Sequence, residues 1–125
     1  MSIDCGVCNY VDDDHPPAVL LSDKIVRARA VHVCCECRRE IQKGDRFESV
    51  AGKWDGEFYV FKTCLVCVEI RGAFSCDGTY VYEALWESLT ECFPDLTTGC
   101  FEKLETAAAK AYLKSRWWEW KQAQT

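Results

Sequence analysis

The chain has 125 residues, 49% of them apolar and 13% aromatic, with a formal net charge of −5. That is enough apolar material for a core, and it excludes a disordered chain of low hydropathy and high charge. No run of about 18 apolar residues occurs, so the sequence offers no membrane-spanning helix.

Ten cysteines stand out at this length. A content this high marks either a disulfide scaffold or a metal scaffold. The start, Met1-Ser2-Ile3-Asp4-Cys5, has no basic stretch leading into an apolar one, so a secretory signal is not expected. The expected location is the cytoplasm, where paired cysteines mean metal more often than disulfides.

Three regions are expected within a single domain. Residues 1–33 carry a first Cys-x-x-Cys pair, Cys5 and Cys8. They also carry the acidic run Asp12–Asp14 and His15-Pro16-Pro17, which reads as irregular or extended chain. Residues 34–76 carry two further pairs, Cys34/Cys37 and Cys64/Cys67. Between them, 46–50 and 57–61 read as two strands around the loop Gly52-Lys53-Trp54-Asp55-Gly56. A short helix should follow Cys64 and close near Gly72. Residues 77–125 should be helical: one helix over 80–93, ended by Pro94, and a longer one from about Cys100 to Lys121 with Thr98 as its cap. Phe101, Leu104, Ala108, Ala111 and Trp118 would share the apolar face of that longer helix.

The two central pairs point to metal. Two residues between cysteines let a tight turn aim both sulfurs at one ion, and Zn²⁺ takes four tetrahedral thiolates readily. Cys34, Cys37, Cys64 and Cys67 are the expected ligands of one structural Zn²⁺; Cys35 competes with Cys34 for the first position. A second ion is open to Cys5 and Cys8 with Cys35 and Cys76. Cys92 and Cys100 read as small buried apolar residues instead. With four thiolates and one ion, the charge moves to about −7.

The order of paired cysteines, hairpin, paired cysteines and helix resembles the treble-clef zinc finger, giving an α+β fold class over residues 34–74. The stretches Ala28–Cys37, Gly52–Gly56 and Phe61–Cys67 resemble small zinc-finger proteins encoded by phages and prophages. The resemblance implies a phage origin and, for some such proteins, the disabling of host defence or the redirection of host enzymes.

Chemistry beyond structure is not expected. A catalytic zinc keeps an open coordination position, and four cysteines close it. The chain has only two histidines, both outside the hairpin and the following helix, and no phosphate-cradling glycine loop. The first reading is therefore a non-enzymatic module that binds and modulates a host protein. Trp117 and Trp120 would be its contacts, since adjacent tryptophans on a helix diverge by about 100° and cannot all be buried. A homodimer through the same residues is an alternative. A second reading is nucleic-acid binding through the basic stretch 24–46, with Arg27, Arg29, Arg38, Arg39 and Lys43 as contacts. The overall negative charge disfavours it.

Overall fold

The computed structural model describes residues 19–54, 56–74 and 83–124. Among these, contacts gather into two compact units, one ending at Val68 and the other beginning at Glu69. The class is α+β, with antiparallel strands and the first turn of one helix before the boundary and the rest of the helices after it.

The first unit is built on three antiparallel strands, β1 (Val19–Arg27), β4 (Arg46–Trp54) and β5 (Glu57–Cys64), with β4 in the centre. A two-stranded ribbon, β2 (His32–Val33) and β3 (Glu40–Ile41), lies between β1 and β4 in the chain. The β4–β5 hairpin is longer than the expected strands. Gly52, Lys53 and Trp54 lie in β4, not in a loop, and Trp54 pairs with Glu57. The connection is thus the Asp55-Gly56 pair alone, with Gly56 at φ +79°. Glycine adopts that left-handed conformation without strain.

Strand β1 was not expected from the sequence. Its register with β4 runs from Val19↔Lys53 to Arg27↔Arg46, with an irregularity between Leu20 and Ser22. Residues 22–25 of β1 are exposed in succession, so the alternation that advertises a half-buried strand is missing there. The core of this unit is small: Ala28, Ile41, Phe47, Val50 and Thr63, together with cysteines.

Helix α1 (Leu65–Phe74) leaves the end of β5 directly and runs through Gly72, two residues beyond the expected stop. The second unit continues with α2 (Leu85–Glu91), a 3-10 turn (Phe93–Asp95), α3 (Thr98–Glu102) and α4 (Ala107–Ala123). Leu85, Trp86, Leu89 and Phe93 are buried, as the helical spacing of 80–93 requires.

The single long helix expected from Cys100 is in fact two. Thr97, not Thr98, precedes α3, and Thr106 caps α4 by accepting the N–H of Ala109 at 3.2 Å. The break is stabilised from α1: Glu69 accepts the N–H groups of Glu105 and Thr106 and the hydroxyl of Thr106, at 2.6, 3.1 and 2.7 Å. The Thr106 N–H is one of the unpaired groups of a helix start, and a carboxylate there also meets the positive end of the helix dipole. The restart resets the register. Ala109 and Leu113 are buried, whereas Ala108, Ala111 and Trp118 face outward.

Candidate metal centre

The first unit brings four sulfurs together. The turn of the β2–β3 ribbon contains Cys34, Cys35, Glu36 and Cys37, and its closure depends on two backbone bonds: Cys34 N–H to Arg39 O at 3.0 Å and Arg38 N–H to Cys34 O at 3.1 Å. Arg38 adopts φ +64°, a left-handed conformation that reverses the chain after Cys37. Cys64 ends β5, and Cys67 lies in the first turn of α1. The hairpin therefore delivers the second pair to the first.

The Sγ atoms of Cys34, Cys37, Cys64 and Cys67 all lie within 4.8 Å of one another. Cys37 and Cys64 are 3.7 Å apart, Sγ to Sγ. Four sulfurs at about 2.3 Å from a tetrahedral zinc stand about 3.8 Å from each other, so this spacing suits that ion. The group can hold a metal ion, and the donor set fits zinc. Cys34 and Cys67 are fully buried.

Hydrogen-bond donors surround the sulfurs. Cys34 Sγ accepts the backbone N–H groups of Glu36 and Cys64, each at 3.4 Å. Arg39 Nε donates to Cys37 Sγ at 3.5 Å. The N-terminal end of α1 adds its partial positive charge near Cys67. Such donors orient thiolates and disperse their charge.

The four thiols cannot all ionise unaided. The hydrogen bond to Cys37 pushes the Cys34 thiol up, but those with Cys64 and Cys67 and the Cys64 N–H outweigh it and bring it down to about 6. Cys37 is also lowered, by its bonds with Cys34, Cys64 and Cys67. Cys64 and Cys67 are raised, chiefly because they serve as the donors to Cys34 and Cys37. A metal ion needs all four sulfurs as thiolates, so its binding would release the protons that the raised thiols hold.

Cys34, rather than Cys35, belongs to this group. Cys35 turns away, with its sulfur 3.4 Å from Thr63 Oγ1 and 3.7 Å from Glu36 Oε2. Burial pushes the Cys35 thiol up to about 12, so it stays protonated. His32 is no ligand either: its Nδ1 is 3.2 Å from Lys62 Nζ and its ring packs on Phe47. Of the other expected second-site residues, Cys5, Cys8 and Cys76 lie outside the described residues. Cys92 is free but only half-buried, whereas Cys100 is fully buried, as expected, and is disulfide-bonded. The expected burial of Cys100 thus holds, and the disulfide is what the sequence reading did not include.

Arg27, Arg29, Arg38, Arg39 and Lys43 are all exposed, with Arg39 engaged at Cys37. The tryptophans divide differently from expectation. Trp117 is half-buried, donates its indole N–H to Phe93 O at 3.3 Å and packs edge-on to Phe101. Trp120 packs edge-on to Phe93. Trp118, expected on the apolar face, is 54% exposed.

No family model matches this chain, and neither does any curated protein or solved structure. Among the described residues, no helix is long and apolar enough to cross a membrane.

Proposed function

We propose that the four-cysteine group binds one structural Zn²⁺ in a treble-clef arrangement, and that the protein is a non-enzymatic module that binds and modulates another protein. The observation that carries this reading is the convergence of four sulfurs from a ribbon turn, a strand end and a helix start. Four thiolates fill a tetrahedral shell and leave no position for a substrate or a reactive water, so the ion organises the fold. A ribbon, a hairpin and one helix have little apolar core of their own, and metal binding supplies the missing folding energy.

The phage and prophage resemblance makes a bacterial cytoplasmic protein the proposed target. A pull-down from bacterial lysate, with and without nuclease, tests this. One stoichiometric protein that survives nuclease, and that the zinc-free Cys64→Ser/Cys67→Ser variant fails to capture, is the expected result. Captured material that vanishes with nuclease would replace this reading with nucleic-acid binding.

A further inference from the structure

Helix α4 holds four basic residues and one acidic residue, Glu119, in a chain whose net charge is −5. Lys110 and Lys114, Lys114 and each of Trp117 and Trp118, and each of these tryptophans and Lys121 are three or four residues apart, so the five form one broad stripe along the helix. It is about 16 Å long from end to end. Glu119 falls two residues from Trp117 and Lys121 and so on the other side. Leu113 and Ala109 face the core beside this stripe, and Trp118 is its exposed aromatic.

The cations of the stripe rest on rings. Lys121 Nζ lies 4.7 Å from the Trp117 ring centre and 5.7 Å from that of Trp118, and Lys114 Nζ lies 5.9 Å from Phe101. A ring attracts an ammonium without cancelling its charge. Lys110, at the other end, sits near enough to Glu69 to help lower that carboxyl. Lys114 and Lys121 thus frame an exposed indole with positive charge that no carboxylate among the described residues pairs.

We propose that this α4 stripe docks an acidic segment of a partner protein, with Trp118 as the apolar anchor and Lys114 and Lys121 meeting carboxylates. The proposal rests on the protein-binding reading above and names the partner's chemistry. Charge complementarity selects an anionic partner. Three cations are too few for useful grip on a nucleic-acid backbone, where tight binding uses many phosphate contacts, and the remainder of the chain is acidic. An acidic peptide needs only a few charges and one buried aromatic.

The test uses the zinc-loaded protein and a fluorescein-labelled peptide of repeating Glu-Glu-Leu triplets, read by fluorescence anisotropy. A Gln-Gln-Leu peptide and oligothymidine of the same length are the comparisons. The Glu peptide should bind best and weaken with salt. Lys110→Gln/Lys114→Gln/Lys121→Gln should weaken it about tenfold, and Trp118→Ala about thirtyfold. Both variants should keep the wild-type circular dichroism and zinc content. Tighter binding of oligothymidine, equal binding of the Gln peptide, absence of binding, or unaltered affinity in both folded variants would each overturn the proposal. If the lysate partner is captured undiminished by the Lys→Gln variant, the stripe fails and the protein-binding reading stands.

Discussion

The two units solve the same stability problem by different means. After Val68, the helices bury large side chains: Ile70, Phe74, Leu89, Phe93, Leu104 and Leu113 are all essentially inaccessible. Aromatic pairs extend this core, with Trp86 edge-on to Tyr112 at 5.3 Å and the Arg116 guanidinium 4.4 Å above Trp86. Before Val68, the buried set is smaller and cysteine-rich, while Ile25, Val31, Val33, Phe58 and Val60 remain exposed. Apolar burial can hold the helical unit. The strand unit has its most concentrated polar group at four sulfurs, which can satisfy one another as thiolates only when a cation joins them.

Removing the metal should break the comparison most sharply. Zinc binding in small fingers is worth about 10–16 kcal/mol near neutral pH, and that energy is folding energy. Chelation, or Cys34→Ser, should therefore abolish protection of residues 32–67 in hydrogen exchange while α4 keeps far more of its own. Equal protection of both units in metal-free protein would remove the contrast.

The converse change is Leu113→Ala, a buried truncation in α4 that should cost about 2–5 kcal/mol. Thermal melting should report the loss while zinc content per chain stays the same. A smaller effect comes from the helix start. Thr106→Ala should destabilise by about 1 kcal/mol.

Glu69 adds a pH signature to the helical unit. Burial pushes its carboxyl up, but hydrogen bonds from the Thr106 hydroxyl and the Thr106 and Glu105 N–H groups, with the charge of Lys110, outweigh this and hold it below its ordinary 4.5. A lowered carboxyl contributes fully above the ordinary value and loses that contribution as pH falls through the folded one. Stability should decline in that acid range, and Glu69→Gln should be less stable near neutrality with a shallower acid decline. The smallest effect on the metal is expected from Cys35→Ala, which should leave zinc content unchanged because that sulfur faces Thr63.

The four-cysteine group was legible in the sequence because a two-residue spacing is a local property, and two such pairs around a hairpin leave few other geometries. Cys34, which the two-residue spacing favours, is the one that joins the group, while the Cys35 sulfur faces Thr63. Strand β1 was hidden because its exposed middle carries no alternation. Trp118 was misplaced for a different reason. A helical pattern extended from Cys100 accumulates phase, and the restart at Thr106, held by Glu69 from a distant part of the chain, shifts every later residue to a new face. Such a long-range cap leaves little trace in local periodicity.

X-ray absorption at the zinc edge, on protein purified without added metal and on the Cys64→Ser/Cys67→Ser variant, tests the central claim most directly. A shell of four sulfurs at about 2.3 Å, with one zinc equivalent per chain lost in the variant, is the predicted result. Zinc content undiminished in the variant, or a folded strand unit that carries no metal, would contradict it.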